Sequence, residues 1–475
     1  MTKFSQKYLL LILIILNTVV QSQNLNEQLF QDTDVPTYIN IGNSILSGNL
    51  PYETTWEGKG PLFYILFSFV TLLTNGQVLY IKIFRILLYN LVLIVIFNYG
   101  KKITSDPIKL LFPALTFVLF INSFSFGGRL YYEFFICLFL YLIFEKSKSI
   151  IYKPILSGII FGALGQIVII SNMFIAPFMF KVMKNNKQKM SYSLRFSFGY
   201  VAFIGLVYFI FLMNNLGEIY LFTNFEFPLL YGNAEYGYDV GITTLFFYIF
   251  DNESIYLFAQ FSLIAIAFIF YFFKQFEIYI NNNFYRLVLL IVTYLFPIFV
   301  DKLYGHHWIY FLFFLCLYLN NYLNIKNKLL SFVFLIFPLW GSAVSLSHGI
   351  NQILAINSLE FKSEVLVKKL KSENIKIEKA LVWNIQYIIT QLDATTPLYI
   401  QHPTFINKEN SKAINRINEL TGTVNDLEYQ ISQKPDLIVC SEERYSFCSD
   451  LKGYYLYEKL IFDNKTLNVY LLIDS

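Results

Sequence analysis

The chain has 475 residues, of which 56% are hydrophobic, 19% aromatic and only 14% charged, and its formal net charge is +4. One soluble core cannot bury 51 phenylalanines and 36 tyrosines, and apolar runs recur from residue 9 to residue 345, so the composition predicts a polytopic membrane protein. The positive charge is small and scattered along the chain, which argues against a nucleic-acid partner.

The first apolar run, residues 8–20, follows two lysines, Lys3 and Lys7. It resembles the apolar part of a signal peptide, but no cleavage site of the A-x-A type follows, and we interpret it as an uncleaved first helix. Basic residues favour the cytoplasmic side of a membrane protein. The N-terminus is therefore expected in the cytoplasm, and the next loop, residues 21–61, on the outside.

This first outer loop contains a predicted amphipathic helix in the stretch DVPTYINIGNSILSGNLPY. Asp34 is expected to cap the helix, and Pro36 suits its first turn. Gly48 and Pro51 should end it. An apolar stripe predicts that the helix lies on the membrane surface, and its members are Tyr38, Ile41, Ile45 and Leu46.

The next apolar run, residues 62–74, is shorter than the roughly 20 residues that a membrane-spanning helix needs. If it crossed, the following span would carry Lys101 and Lys102 to the outside, so we predict that it lies in the interface or re-enters. The whole pattern then predicts about 11 to 13 transmembrane helices. The later runs are residues 79–99, 108–123, 134–144, 154–180 as two short helices around Ser171 and Asn172, 194–213, 255–273, 285–300, 309–319 and 329–347.

The chain is expected to divide into a membrane domain, residues 1–348, and a small outer α/β domain, residues 349–475, because apolar strand patterns alternate there with charged helical ones. The predicted strands lie in KALVWNI, PLYI, DLIVC and NVYLLI. In an oxidising compartment Cys440 and Cys448 are expected to form a disulfide; one buried and one exposed free cysteine is the alternative. Cys137 and Cys316 lie in apolar runs and are expected to be small buried hydrophobes.

Polar residues from three regions are predicted to meet at the outer membrane face. Charged side chains that converge at the mouth of a helix bundle tend to be functional, whereas the alternative is that each is a solvated loop charge. The three groups are Asp32 and Asp34 with Lys59, then Arg129 with Glu133 in an outer loop, then Lys302 with His306 and His307. An aromatic outer loop, residues 220–241, is interpreted either as a sugar or polyprenyl-chain contact or as part of an aromatic interface belt.

The first loop carries the pattern D-x3-Y-x9-G-x2-PY-x6-KGPL-x-Y, whose residues are Asp34, Tyr38, Gly48, Pro51, Tyr52, Lys59, Gly60, Pro61, Leu62 and Tyr64. It resembles the first-loop signature of GT-C superfamily glycosyltransferases, in particular the protein O-mannosyltransferase and aminoarabinose transferase group and bacterial dolichyl-phosphate-mannose-protein mannosyltransferase-like proteins. The likeness continues in KIFRILLYNLVLIVIF, with Arg85, and in GHHW. This chain departs from the family at Val35, where an acidic residue is frequent, and at Glu133, where aspartate is frequent.

The resemblance implies an inverting glycosyltransferase that moves a sugar from a polyprenyl-phosphate donor to a lipid, glycan or protein acceptor. Inversion needs a base on the acceptor and a stabilised leaving phosphate. The implied catalytic residues are Asp34, as the base, and Glu133; the implied donor phosphate ligands are Lys59, Arg85 and Arg129; the implied substrate contacts are Tyr38, Tyr52, His306 and His307. Snorkelling of Lys59 to headgroups and a structural histidine pair are the alternatives.

No cofactor is expected, since the sequence has no zinc-type Cys/His spacing and no phosphate-binding glycine loop, and a carboxylate-bound divalent cation stays open. The competing functions are a transporter or flippase of glycolipid or polysaccharide precursors, and a non-catalytic receptor or assembly protein. The conspicuous polar residues lie in outer loops, which disfavours a transporter. The residue usage, rich in Ile, Lys, Asn and Phe, favours a bacterial inner membrane with the outer face in the periplasm.

Overall fold

The computed structural model of the chain describes residues 3–23, 34–76, 78–121, 132–146, 153–185, 188–228, 285–295, 309–322, 359–382, 392, 411–422, 427–440, 448, 451–462 and 465–473. This part is mostly helical with a small sheet. It divides into two compact units that are each discontinuous in sequence. Unit one comprises Met1–Gln23, Arg85–Gly205 and Gly237–Ile350, and unit two comprises Asn24–Phe84, Leu206–Tyr236 and Asn351–Ser475.

The helices that supply unit one are apolar along most of their length. They are α1 (Lys3–Gln23), α4 (Val78–Ile103), α5 (Pro107–Ile121), α6 (Tyr132–Tyr141, continued by a π-helical turn, Leu142–Lys146), α7 (Pro154–Ile167), α8 (Ile175–Asn185), α9 (Lys189–Met213), α11 (Tyr285–Leu295) and α12 (Ile309–Tyr322). A buried polar ladder ties α1 to α4, because Asn17 donates to Asn90 at 2.8 Å and Asn90 donates to Thr18 at 3.0 Å.

The predicted pair of short helices around Ser171 and Asn172 is confirmed. Helix α7 ends at Ile167, the next residue, Val168, is extended, and a 3-10 turn, Ile169–Phe174, leads into α8. Two glycines let α7 approach α9 closely: a Cβ at Gly158 would overlap the backbone of α9 at Phe196, and a Cβ at Gly199 would overlap the backbone of α7. Small residues at such crossings are typical of helices that pack inside a membrane.

Two helices in the described part of the chain are long and apolar enough to cross a membrane, namely α4 over Ile83–Ile103 and α9 over Lys189–Met213. Shorter apolar helices coincide with several other predicted spans. The runs at residues 255–273 and 329–347 lie outside the described residues. The total of 11 to 13 crossings therefore stays a prediction.

In unit two, the first loop folds into a helical hairpin of α2 (Asp34–Leu46) and α3 (Pro61–Thr74). Helix α2 has the predicted bounds, and Gly48 follows it with φ +100°. The predicted surface stripe is partly wrong: Tyr38 and Ile41 are buried while Leu46 is exposed. The reason is that α3 covers that face of α2, with the Tyr38 and Phe63 rings 4.7 Å apart.

Helix α3 presents an apolar stripe to its surroundings. Its exposed members recur with helical spacing and are Ile65, Phe69, Leu72 and Leu73. The opposite face, which includes Phe63 and Phe67, is buried against α2. A helix of 14 residues that is apolar on its exposed face as well as its buried one suits an apolar environment, and its place in the interface or as a re-entrant segment stays a prediction.

The tail contributes a four-stranded sheet with the order β1-β2-β4-β3, in which β1 and β2 are parallel and the other pairs antiparallel. Its elements are α13 (Leu359–Ser372), β1 (Ala380–Val382), α14 (Ser411–Thr421), α15 (Leu427–Ser432), β2 (Leu437–Cys440), β3 (Tyr454–Phe462) and β4 (Lys465–Leu472). Three of the predicted strands are confirmed, and PLYI lies outside the described residues. Strand β3 was missed because it is an edge strand with a bulge at Leu456/Glu458.

The four cysteines behave as predicted. Cys440 and Cys448 form a disulfide, and both lie in the tail core with Leu381, Ile438 and Tyr470. Cys137 and Cys316 are buried and free. The disulfide encloses a short stretch of chain after β2, so it fixes the start of the connection to β3.

The expectation of an aromatic loop is wrong for its first part. Gly217–Leu221 forms a short helix, α10, and Phe222–Glu226 continues it as a π-helical turn. Tyr220 and Phe222 are buried, since this segment packs inward in unit two.

Candidate functional site

A buried carboxylate, Glu57, lies at the centre of the first loop. Its side chain is 4% exposed. Its Oε1 accepts a hydrogen bond from the Lys59 ammonium at 3.1 Å. Its Oε2 accepts from the backbone N–H of Lys59 at 3.2 Å and from the hydroxyl of Tyr64. Three donors therefore converge on one carboxylate, which is the arrangement that stabilises a buried negative charge.

Lys59 is held in place by this carboxylate and by aromatic rings. Its ammonium lies 5.9 Å from the centroid of the Tyr38 ring, within cation–π range. The hydroxyl of Tyr52 donates to the carbonyl of Lys59 at 2.5 Å. The lysine side chain is 19% exposed, so it is partly sheltered but reaches the surface of the loop. We call Tyr38, Tyr52, Glu57, Lys59 and Tyr64 the first-loop cluster.

The backbone of Tyr52 is unusual for a bulky residue. Its φ is 69°, in the left-handed region that favours glycine. The ring is fully buried, 5.9 Å from the Tyr64 centroid and 5.7 Å from that of Phe211. Packing and the hydrogen bond to Lys59 hold this conformation. Strained residues of this kind are concentrated at functional sites, which supports the cluster as a candidate site.

Trp56 lies next to the first-loop cluster and is covered by the segment that carries Thr223 and Phe227. It is completely buried, its Nε1 donates to the Thr223 hydroxyl at 2.8 Å, and the Phe227 ring meets it edge-on at 4.9 Å. Gly58 lies against the same phenylalanine, because a Cβ at this position would overlap the Phe227 ring. The segment that carries Thr223 and Phe227 therefore clamps the WEGKG sequence, residues 56–60.

The tail helix α14 supports this segment from its other end. It packs against α10, and Arg416 lies 3.8 Å from the carboxylate of Glu226. Both side chains of this pair are more than 40% exposed, so the ion pair itself contributes little stability. The pair does show that helix α14 of the tail reaches the π-helical turn next to Phe227.

Local sequence explains why the loop turns where it does. The chain leaves α2 through Gly48, and the Glu53 carboxylate accepts from the backbone N–H of Leu50 at 2.8 Å in the turn that follows. Gly60 is extended, and Pro61 begins α3, a first-turn position that suits proline because its missing N–H needs no partner there. The stretch between these two points is short, so Glu57 and Lys59 are held near both helices.

The structure places the residues predicted from the sequence in different parts of the molecule. Tyr38, Tyr52 and Lys59 come together in the first-loop cluster. Asp34 begins α2, but its side chain lies outside the described residues, as do Asp32, Arg129, Lys302, His306 and His307. Arg85, on α4, is 1% exposed. Arg85 and Glu133 belong to unit one, whereas the first-loop cluster belongs to unit two.

The sequence predicts that Glu133 belongs to a solvated outer loop, and the structure contradicts this. Glu133 lies in the first turn of α6 and is fully buried. Among the described residues, its carboxylate interacts electrostatically with Cys137, one turn further along α6, and with Tyr310 on α12. The reading of Glu133 as a solvated charge is therefore excluded by its burial.

No group of three His, Cys, Asp or Glu side chains is arranged to hold a metal ion among the residues that the structure describes. No protein-family model matches the chain, and no curated protein matches it.

Sequence reasoning missed Glu57, Trp56 and Thr223. The sequence does contain a signal for Glu57. This acidic residue lies two positions before the signature lysine, Lys59, in a stretch flanked by Trp56 and Pro61. A carboxylate in such a stretch has few ways to stay solvated. Thr223 had no such signal, since its partner lies 167 residues away in the chain.

Proposed function

We propose that this protein is a membrane glycosyltransferase of the GT-C type, which transfers a sugar with inversion from a polyprenyl-phosphate donor to a lipid, glycan or protein acceptor. The observation that carries the proposal is the first-loop cluster. Two residues of one sequence signature, Tyr38 and Lys59, lie 21 positions apart and meet at the sheltered ammonium of Lys59, which Glu57 also binds.

The chemistry of Lys59 suits the phosphate of such a donor. When the sugar leaves, negative charge grows on the phosphate, and a fixed cation next to it stabilises the transition state. Glu57 acts as a positioning residue, because it holds the ammonium through one of its three N–H donors. The Tyr38 ring fixes the ammonium from a second direction. A preorganised cation binds phosphate with less loss of side-chain entropy than a mobile surface lysine does.

The acceptor needs a base, and Asp34 is the residue that we propose for it. Asp34 is the first residue of α2, one helical turn before Tyr38. Positions four residues apart share one face of a helix, so Asp34 occupies the same face as the ring that contacts Lys59. Arg85, Arg129, His306, His307 and Glu133 stay proposed phosphate, substrate and catalytic residues on the strength of the sequence resemblance alone.

A site at the membrane surface suits a donor with a lipid tail. Helix α3 exposes its apolar stripe directly after the cluster, and α4 and α9 are long enough to cross a membrane. The disulfide in the tail favours an oxidising compartment, such as a bacterial periplasm. These features support the proposed placement of the first loop and the tail at the outer face of a polytopic inner-membrane protein.

The proposal is tested with purified protein and a polyprenyl-phosphate donor that carries a labelled sugar. Transfer to an acceptor with release of polyprenyl phosphate is expected. A flippase would move the donor across the bilayer of a vesicle without cleaving it, and a receptor would do neither. A screen of lipid, glycan and peptide acceptors then identifies the acceptor class.

The decisive variant is Asp34→Asn, which keeps the size and capping ability of the side chain but removes its charge. Because general-base catalysis contributes about 10²–10⁴-fold, sugar transfer should fall at least about 100-fold with normal membrane insertion. Asp32→Asn is the matched control and should have a much smaller effect. Full activity of both variants would leave Asp34 as a helix cap and refute its role as the base.

A further inference from the structure

Successive residues of the WEGKG sequence contact two different parts of unit two. Glu57 and Lys59 belong to the first-loop cluster, where the Glu57 carboxylate binds both the ammonium and the backbone N–H of Lys59. Trp56 and Gly58 contact residues 217–228 instead, a segment that we call the strap. Lys59 therefore lies in a stretch of chain that is held both by its own loop and by the strap.

The first connection from the strap to Lys59 runs through Trp56 and Gly58. The indole N–H of Trp56 donates to the Thr223 hydroxyl at 2.8 Å, and the same hydroxyl donates to a backbone carbonyl of the strap at 2.7 Å. The Phe227 ring meets the indole edge-on at 4.9 Å and occupies the space that a Cβ at Gly58 would need. The chain just before Lys59 therefore cannot shift unless Thr223 or Phe227 moves with it.

The second connection runs through α9 and reaches the lysine at its backbone carbonyl. Tyr220 of the strap stacks on Phe211 of α9, with the ring centroids 5.1 Å apart. Phe211 lies 5.7 Å from the ring of Tyr52, whose hydroxyl donates to the carbonyl of Lys59 at 2.5 Å. Two separate sets of contacts therefore lead from the strap to the same lysine.

The strap presents different residues to its neighbours. Thr223 and Phe227, four positions apart, face the WEGKG sequence, and Glu226 faces helix α14 of the tail. Leu221 and Phe225 are both more than 40% exposed. The middle of the strap, Phe222–Glu226, is a π-helical turn, a conformation that is frequent at functional sites. The exposed Phe225 therefore offers a control for changes at the buried Phe227.

Packing alone would make the strap an ordinary part of the core of unit two. Weakening such a core contact would lower the stability of the protein and leave Lys59 unchanged in the molecules that stay folded. Both sets of contacts instead end at a residue whose side chain is still 19% exposed and carries a positive charge. An exposed ammonium gains from rigid support only when its position matters for a ligand, because a mobile lysine is otherwise favoured by side-chain entropy.

We propose that the strap positions Lys59, with Thr223 and Phe227 as the positioning residues, so that its ammonium is preorganised for an anionic ligand. The consequence for the binding of a polyprenyl-phosphate donor rests on the proposed function. The positioning of Lys59 does not, because it is a property of the chain without any ligand.

The test of positioning measures how fast the Lys59 amine is acetylated in the full-length protein in a neutral detergent, below the unfolding midpoint. Peptide mass spectrometry gives the rate, and the exposed Lys189 serves as the internal reference for the reagent. Thr223→Val keeps the size of the side chain and removes the hydroxyl, whereas Thr223→Ser keeps the hydroxyl. Phe227→Leu removes the ring that faces Gly58, and Phe225→Leu is its matched control.

Acetylation of Lys59 should be about 2- to 10-fold faster in Thr223→Val and in Phe227→Leu, because loss of a contact makes local opening more frequent. Thr223→Ser and Phe225→Leu should behave as the wild type. If Phe227→Leu does not fold, Thr223→Val and Thr223→Ser still decide the matter. A wild-type rate at Lys59 in the folded Thr223→Val variant would overturn the proposal and leave the strap as core packing.

Donor kinetics separate this proposal from the proposed function. In Thr223→Val, KM for the donor should rise about 2- to 10-fold, with a smaller change in kcat, and Thr223→Ser should restore the wild-type value. Faster acetylation in a protein whose wild type transfers no sugar would refute the proposed function and support the positioning of Lys59. Normal sugar transfer with unchanged acetylation in Thr223→Val would refute the positioning and support the proposed function.

Discussion

The carboxylate of Glu57 and the ammonium of Lys59 form a sheltered ion pair at 3.1 Å, two residues apart in the chain. The pair is unusual because the backbone N–H of the same lysine also binds the same carboxylate. Glu57 therefore binds both the backbone N–H and the side-chain ammonium of Lys59. Removing the Glu57 carboxylate changes the position of the lysine as well as its charge balance.

Lys59→Ala should weaken binding of the proposed donor while the maximal rate changes less. A hydrogen bond to a charged group contributes about 1.5–3 kcal/mol, so KM for the donor should rise about 10- to 100-fold. Steady-state kinetics with varied donor concentration measures this effect. Lys189→Ala, an exposed lysine at the start of α9, is the control. An unchanged KM in Lys59→Ala would remove Lys59 from the donor site.

Glu57→Gln should destabilise the protein as well as impair the site. The amide cannot balance the charge of Lys59, and its NH2 group cannot accept a hydrogen bond, so we expect a loss of about 1–3 kcal/mol in the free energy of unfolding. Glu218→Gln removes an exposed carboxylate and should have almost no effect. Chemical denaturation compares the two, and equal stability would show that Glu57 is dispensable for the fold of the loop.

Gly58→Ala should disturb the WEGKG sequence through a steric clash. The added methyl group overlaps the Phe227 ring, and overpacking typically costs about 1–3 kcal/mol. Gly205→Ala is the matched control, because a Cβ there meets no other atom within 4 Å and alanine favours a helix. Thermal unfolding should show a lower midpoint for Gly58→Ala alone. Phe227→Leu added to Gly58→Ala should recover part of the loss if the ring is the cause.

The hydrogen bond between Trp56 and Thr223 should be measurable by a double-mutant cycle. Trp56→Phe removes the indole donor and Thr223→Val removes the hydroxyl acceptor, and loss of one such hydrogen bond costs about 0.5–1.5 kcal/mol. The Thr223 hydroxyl keeps its own hydrogen bond to the carbonyl of Ile219 in Trp56→Phe. The double variant removes both partners, so it should lose less than the sum of the two single variants. Strict additivity in denaturation experiments would contradict the contact.

Because Cys440 and Cys448 form a disulfide, the number of reactive thiols in the protein should rise when a reductant is added. Unfolded, unreduced protein should show two reactive thiols, those of Cys137 and Cys316, and reduced protein should show four. Cys440→Ser/Cys448→Ser should destabilise the tail by about 2.5 kcal/mol, the chain-entropy value for a loop of this length. Four thiols without reductant would refute the bridge.

Several elements could be predicted from the sequence because their signals are local. The bounds of α2 follow from Asp34, Pro36 and Gly48, and the break between α7 and α8 follows from a short apolar run with Ser171 and Asn172 at its centre. The disulfide follows from the position of its two cysteines in a polar tail. Each of these signals lies within one or two helical turns.

The features that could not be predicted depend on contacts between distant segments. The burial of Tyr38 depends on α3, and the cover over Trp56 depends on Thr223. A hydrophobic stripe has the same sequence pattern whether a membrane or another helix covers it. The sequence therefore predicted the shape of α2 correctly and its surroundings only in part.

The contact of α14 with α10 also has a consequence for biosynthesis. Unit two combines Asn24–Phe84, Leu206–Tyr236 and Asn351–Ser475, so its first and last parts leave the ribosome at opposite ends of translation. The first loop emerges early, Thr223 and Phe227 reach it only after helices α4 to α9 have been made, and Arg416 arrives later still. Domains generally form during synthesis as their residues become available. This unit must instead wait for its C-terminal residues, and a prematurely terminated chain would leave Trp56 and its neighbours without their final support.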